Sequence, residues 1–403
     1  MKIAYLIPGC GITGGVAVAC QHVNRLQKRG HEVYLISDTL EKNIDWFPQQ
    51  KVPILTLEEY PDDIKILVAT GWSTSFEVID LPAKHKFYFV QSDETRFHDA
   101  DSVWKKLTAL SYLLKFHYIT EAKWIKEWLG SEFNHDAALI PNGLDQSIFF
   151  PDEPLAPKGG RPRILLEGAI DIPYKGMEDA FEVVRDLDAE IWCVSSLGEP
   201  RSDWHCDRFF GQVPMEQMRR IYSSCDILLK LSRVEGFFGP PLEMMACGGA
   251  VVVGKVTGCD EYIRDGFNAL VVEQGDIEGA KEAIKKLIDE DVLKQKLIKN
   301  GFETVRAWDW DTSIDKLESN FKNILDNKLP YDKLSTRKLS DQGIALSYEM
   351  AKRQYLNYNQ LEFSVFNEPV DRLFYRLRKI TAIKLFAEVV YKLHKKLKKI
   401  LKG

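Results

Sequence analysis

Short apolar runs alternate along this chain with stretches of 3.6-residue apolar period, and after a proline-rich break the alternation starts afresh. The first round opens with Lys2-Ile-Ala-Tyr-Leu-Ile7, crosses Pro8-Gly-Cys-Gly-Ile-Thr-Gly-Gly15, and continues helically through Val16, Cys20, Val23 and Leu26 until Gly30 stops it. His31–Ile36 is a second apolar run, so the opening predicts a βαβ unit. Further strands are expected at Ile64–Ala69, Phe87–Val90, Tyr118–Thr120 and Ala137–Ile140, giving a first α/β domain over 1–150. Residues 151–162 hold four prolines and two glycines and read as a linker.

The second round, 163–330, predicts strands at Arg163–Glu167, Glu190–Ser195, Phe209–Val213, Asp226–Leu231, Ala250–Val256 and Ala269–Glu273. Helical patterns fall at Met177–Leu187, Met215–Cys225 and Pro241–Cys247, with one long pattern from Ile277 to Val305. Two α/β halves joined by a linker place a cleft between the carboxyl ends of two parallel sheets, where such sheets bind ligands. Residues 331–403 form an extension.

Composition narrows the class. The 403 residues are 45% apolar and 28% charged, which excludes disordered, collagen-like and disulfide-scaffold chains. The seven cysteines are scattered and contain no C-x-x-C pair, consistent with a reducing compartment. The sequence offers neither an apolar run of the roughly 20 residues a spanning helix needs nor a signal-peptide pattern, so a cytoplasmic location is expected. Charge is uneven: residues 372–402 carry eleven Lys/Arg and one acid, Glu388, leaving 43 basic against 58 acidic residues before them. Leu373, Leu377, Ile380, Phe386, Val389, Leu393, Leu397 and Ile400 recur there at helical spacing. A basic amphipathic helix of this kind suits an anionic membrane surface, or alternatively an acidic protein face; nucleic acid is not an expected partner.

Two motifs carry chemistry. Gly9-x-Gly11-x-x-Gly14 follows a strand, opens a helix, and has Asp38 after the next strand. That is formally a dinucleotide fingerprint, but any ligand needing close backbone approach uses the same glycines. In Glu235-Gly-Phe-Phe-Gly-Pro-Pro-Leu-Glu243, the glycines and prolines forbid one continuous helix. Pro241 suits a first helical turn and Gly248 a stop, so Glu243 sits near a helix start and Glu235 on the loop before it. Both carboxylates can then face one cleft beside backbone N–H groups suited to a diphosphate. The Asp-x-Asp matches at Asp99/Asp101, Asp186/Asp188 and Asp309/Asp311 read as surface or helix-end acids, and no metal or cofactor is expected.

These strings resemble retaining glycosyltransferases of family 4. The supporting segments are Ile140-Pro-Asn-Gly-Leu-Asp145, Gly168-Ala-Ile-Asp-Ile-Pro-Tyr-Lys175-Gly176, the Glu235–Glu243 block continued through Val253, and Asp260-Glu261 with Arg264-Asp-Gly-Phe-Asn-Ala-Leu270. The resemblance covers residues 2 to about 325 and implies an α/β GT-B fold, two Rossmann-like domains facing across a cleft, with the helical extension behind them. It also implies retaining transfer of a hexose or deoxyhexose from a nucleotide diphosphate sugar to a hydroxyl of a glycan or lipid-linked glycan. In that scheme Glu235 contacts the transferred sugar, Glu243 the ribose, and Lys175 the diphosphate. Gly14 and Gly15 approach from the first domain, while Val213, Gly236, Phe237, Phe238 and Gly239 complete the donor site. His98 is a further candidate for the cleft. Val90-Gln-Ser-Asp-Glu94 is similar to the rhamnosyltransferase-like branch.

Two departures matter. Many members carry Arg where Ala169 stands, so a phosphate cation is missing and Arg233 or Arg163 are candidates to replace it. Many carry His where Gln91 stands, and an amide cannot take a proton at neutral pH. Two rival readings are a nicotinamide-dependent oxidoreductase using Gly9, Gly11, Gly14 and Asp38, and a catalytically silent glycan-binding protein of the same fold.

Overall fold

The computed structural model describes residues 1–327 and 335–345. A seven-stranded, all-parallel sheet is built from β1 (Lys2–Ile7), β2 (Glu32–Ser37), β3 (Ile54–Thr56), β4 (Ile66–Ala69), β5 (His85–Val90), β6 (His117–Thr120) and β7 (Ala138–Leu139), in the order β3-β2-β1-β4-β5-β6-β7. A second, six-stranded parallel sheet comprises β8 (Arg163–Glu167), β9 (Glu190–Ser195), β10 (Arg208–Gly211), β11 (Ile227–Lys230), β12 (Ala250–Gly254) and β13 (Leu270–Val272), ordered β10-β9-β8-β11-β12-β13.

The apolar runs become central strands because parallel sheets are covered on both faces. Along β1, Ile3, Tyr5 and Ile7 enter one core while Ala4 and Leu6 enter the other. Along β11, Leu228 and its alternate neighbours Ile227 and Leu229 divide in the same way between two cores. Strand order reverses beside β1 and again beside β8, and each reversal opens a crevice at the carboxyl ends. The glycine loop 8–15, the segment 168–176 and the loop 231–238 all leave from those crevices.

Two features depart from the sequence reading. The long pattern at 277–305 is two helices, α8 (Ile277–Asp289) and α9 (Asp291–Val305), with Glu290 out of helical geometry between them. Acids at 289–291 mark the break, because they favour a helix start over a helix end. The interval 163–330, read as the second domain, also contains α10 (Trp310–Asp326), whose packing partner is the first sheet. Its Ile314, Leu317 and Phe321 join the core of β1, and Phe321 meets Phe87 edge-on at 4.9 Å. Its outer face is tied by Arg29 to Asp315 at 2.5 Å and to Glu318 at 3.2 Å, and Gly143 is required at the crossing because a Cβ there would lie 2.4 Å from the Trp310 nitrogen.

Residues 335–345 are helical; the basic segment 372–402, and with it the membrane-surface reading, lies outside the described residues. Among the described residues no helix is long and apolar enough to cross a membrane. Phe321→Ala is expected to cost about 3–5 kcal/mol, read by urea denaturation, because it removes a fully buried ring from the first core.

Candidate active site

The second half brings its charged groups together at the ends of two neighbouring strands. Register pairs Leu229 with Leu166, so Lys230 and Glu167 stand next in line. The Lys230 ammonium donates to the Glu167 carbonyl at 2.9 Å and to its carboxylate at 2.5 Å, and is almost entirely buried. The chain then turns at Pro173–Lys175 and passes Gly176, whose φ of 66° and lack of a side chain let it touch the Leu231 carbonyl. That close approach delivers Lys175 to Glu235, with its Nζ 2.9 Å from the carboxylate.

Glu235 is buried, which alone would raise its carboxyl; the Lys175 and Lys230 ammoniums outweigh burial and hold it below the ordinary value. Glu243 lies on α7 (Gly239–Ala246) and accepts from the Tyr222 hydroxyl at 3.0 Å. Burial and the nearby Glu167 carboxylate push its carboxyl up to about 7, against the pull of Tyr222 and Lys230. The helix start offers fewer donors than the sequence reading supposes. Pro240 and Pro241 have no N–H, and the Gly239 N–H is spent on the Phe237 carbonyl at 3.0 Å.

The remaining donor-site candidates divide. Phe238 is fully buried and Phe237 packs between Tyr262 and Trp308, so both face the core and can offer a ligand only backbone. Val213 lies past β10 and packs partly on the same core. Neither replacement cation joins the cluster. Arg163 opens β8 at its amino end, bound to Glu190 and the Ser224 carbonyl, and Arg233 is half-exposed and paired with Asp179 at 2.6 Å.

From the first half, Gln91 follows β5 and donates to the Thr70 carbonyl at 3.0 Å. Its amide occupies the space a Gly15 side chain would need, with Nε2 3.0 Å from the missing Cβ. Gly14 and Gly15 open α1 (Gly14–Lys28), capped by Thr13. The Gln91 carbonyl lies against Gly236, where an added Cβ would sit 1.8 Å away. Thus the structure gathers Gly15, Gln91, Gly236, Glu235 and Lys175 at one place.

Groups assigned no role in the sequence reading hold the halves there. Trp124 donates its indole N–H to the Gly236 carbonyl at 2.9 Å, and Glu261 accepts the Lys123 and Trp124 N–H groups, capping α4 (Lys123–Phe133) from across the cleft. Arg96 reaches the Thr257 hydroxyl at 2.9 Å and the Arg233 carbonyl at 3.1 Å, while Phe97 stacks on Tyr174 at 5.2 Å. Glu121, 5% exposed, accepts from Asn142 at 2.9 Å beside Gly236. Burial pushes its carboxyl up to about 8, the Glu235 charge adding to the shift and the Asn142 amide and Phe237 N–H opposing it. His98 closes the same loop with its ring edge-on to Trp72 at 5.9 Å and Nε2 buried without a partner, and it takes no part in the Lys175–Glu235 hydrogen bond. Among the described residues no group of three or more His, Cys, Asp or Glu is placed to hold a metal ion.

Two parallel sheets facing across a polar cleft define the GT-B architecture. Residues 207–304 match the family model of glycosyl transferases group 1. It is 32% identical over 204 residues to a phosphatidyl-myo-inositol mannosyltransferase of Mycolicibacterium smegmatis, covering 47% of this chain and 51% of that protein. It is 24% identical over 278 residues to the O-antigen biosynthesis protein RfbC of Myxococcus xanthus, covering 65% of this chain and 22% of that one. The chain thus spans about half, or less, of these relatives' length. Among solved structures, sucrose-phosphate synthase from Thermosynechococcus elongatus superposes with a TM-score of 0.67 at 17% identity, over 81% of this chain and 100% of that one. Anabaena HepE, in complex with UDP and glucose, gives 0.67 at 13% identity, over 80% of this chain and 100% of that one; such likeness shows the fold.

Glu121 generates a pH prediction. Its folded value of about 8 lies above the ordinary 4.5, so the folded state keeps a proton the unfolded chain has lost, and stability relative to acid pH falls as pH rises from about 4.5 to about 8. Glu121→Gln removes that dependence. Its melting temperature should overtake the wild type progressively across this window, a difference on the order of 1–3 kcal/mol at pH 8, read by thermal melts from pH 5 to 9.

Proposed function

We propose that this chain is a retaining glycosyltransferase, moving a hexose or deoxyhexose from a nucleotide diphosphate sugar to a hydroxyl of a glycan or lipid-linked glycan. The observation that carries the reading is the Lys175–Glu235 pair, 2.9 Å apart with Glu235 buried and Lys175 partly open to solvent, Glu235 lying in the segment 207–304 that matches the group 1 model. Relatives named as mannosyltransferases and neighbours solved with UDP support a nucleotide-sugar donor.

Breaking a sugar–phosphate bond leaves negative charge on the departing diphosphate and positive charge at the anomeric carbon. Lys175 is the group to stabilise the first, and the Glu235 carboxylate with the Gln91 carbonyl the second. Because an ammonium meets the leaving group, the proposed reaction requires no metal. Attack comes from the face the phosphate leaves: the anomeric carbon–oxygen bond to phosphate breaks, the bond to the acceptor oxygen forms, and the acceptor's proton passes to the departing phosphate oxygen. Gln91, which cannot act as a base, is compatible with that route.

The acceptor is assigned to the first half. Trp72 and Trp104 lie 6.0 Å apart with Trp104 half-exposed, and with His98 they line the wall next to the Phe97–Tyr174 contact. Apolar ring faces of this kind can stack on a sugar ring, and the His98 nitrogen can meet a hydroxyl. The basic segment 372–402 supports work at the cytoplasmic face of an anionic membrane.

Incubation with a panel of nucleotide sugars, following nucleoside diphosphate release, is expected to identify one hydrolysed donor. Glu235→Ala and Lys175→Ala should each lower that rate by about 100-fold or more while melting like folded protein; full activity in either refutes the roles. Sedimentation with anionic vesicles should retain the full chain and lose one ending before Asp371, and equal behaviour would remove the membrane assignment.

A further inference from the structure

The cluster at the ends of β8 and β11 poses a charge problem. Three carboxylates, Glu167, Glu235 and Glu243, share it with two ammoniums, Lys175 and Lys230. A nucleotide diphosphate sugar would bring about two more negative charges. Lys175 can serve Glu235 or the diphosphate, and drawing it to the phosphate strips Glu235 of its hydrogen-bonded partner. Local alternatives are occupied elsewhere: Arg163 at the far end of its strand, Arg233 on Asp179, Arg96 on Thr257. The start of α7 has lost donors to two prolines.

We infer that Lys230, fixed by Glu167 at the end of β11, is the donor site's standing counter-charge, a positioning residue that balances Glu235 and Glu243 when Lys175 turns to the diphosphate, and so replaces the cation missing at Ala169. The inference rests on the donor reading above. Lys230 is 3% exposed and fastened to Glu167 by two hydrogen bonds, so it cannot swing out to follow the ligand as Lys175 can at 26% side-chain exposure. Its charge nevertheless acts on both glutamates, lowering each. The other titratable groups facing Glu235 are Lys175, Tyr174, Tyr262 and, from the first half, Glu121; those facing Glu243 are Glu167, Tyr222, Cys247 and Tyr262. Lys175 and Lys230 are the cations that act on Glu235, so with Lys175 committed elsewhere Lys230 is left to balance it.

The test uses the full chain. Calorimetric titration with UDP, GDP, ADP and dTDP first finds the nucleotide the wild type binds, and the same nucleotide is then titrated into Lys230→Met and Lys230→Arg. Lys230→Met should bind about tenfold or more weakly, Lys230→Arg within about threefold, and the acid limb of the pH profile for donor hydrolysis should move up by about one unit in the Met variant alone. Ala169→Arg added to Lys230→Met should restore part of the affinity, which a purely structural role for Lys230 would not allow. Should Lys230→Met fail to fold, Glu167→Gln with Lys230→Met removes the ion pair as a unit and should show the same loss. Unchanged affinity and an unmoved profile in a folded variant overturn the inference and leave the donor site standing. A wild type that binds none of the four nucleotides overturns the donor reading and this inference together.

Discussion

The missing side chain at residue 236 is the constraint on which the cleft depends. The Gln91 carbonyl of one half lies where a Cβ would be, and on the other side Gly258, at φ 82°, leaves room for the Gly236 carbonyl, which a Cβ there would approach to 2.4 Å. Backbone thus meets backbone across the two halves with nothing between them. Glu235 immediately precedes Gly236, so its peptide is held against the opposite half while the Gly176–Leu231 approach brings Lys175 to its carboxylate. Trp124 binds the Gly236 carbonyl and Thr257 the Glu235 carbonyl, fixing the same two peptide units from different elements.

Electrostatics around that contact run against stability. Glu94, Glu121 and Glu243 are pushed up to about 7, 8 and 7, burial leading in each case, while Glu235 alone among these four is pulled down. The difference is local charge: Glu94 has the Trp72 N–H and the Tyr88 hydroxyl, Glu121 an amide, Glu243 a phenol and one ammonium set against the Glu167 carboxylate, whereas Glu235 has two ammoniums. Burying acids without full compensation costs folding free energy at neutral pH, and apolar residues of similar size would fold better. Concentrating that cost in one cleft is what a ligand site does.

Most of the architecture was legible in the sequence because parallel strands are buried on both faces and announce themselves as unbroken apolar runs between glycines. The Glu235–Glu243 block was legible because its prolines and glycines permit few backbone courses. The electrostatic partners were not. Glu121, Arg96 and Glu261 sit in loops or at helix ends with no periodicity, and their importance lies in contacts at sequence separations above 100 residues. Lys230 left one signal, a lysine ending Ile-Leu-Leu inside a strand that must be buried, where an unpaired charge is untenable. The crossing of α10 had none: its apolar spacing fits either sheet, and the decision falls to Gly143 and to the Arg29 pairs at its surface.

What joins the halves also bears on how the cleft can work. The contacts between the halves are mixed: Phe97 stacks on Tyr174, the Gln91 carbonyl packs on Gly236, Leu144, Ile148 and Phe149 enter the second core, and a set of hydrogen bonds ends on backbone atoms, Trp124 to Gly236, Arg96 to Arg233 and the first N–H groups of α4 to Glu261. Each such bond is worth about 0.5–1.5 kcal/mol net and can be exchanged for water on separation. An apolar seam of equal area would expose hydrophobic surface whenever the halves parted. Where the seam is polar, its bonds exchange with water at little net cost when the halves separate, which is what the donor entry proposed above would require of an interface inside one chain.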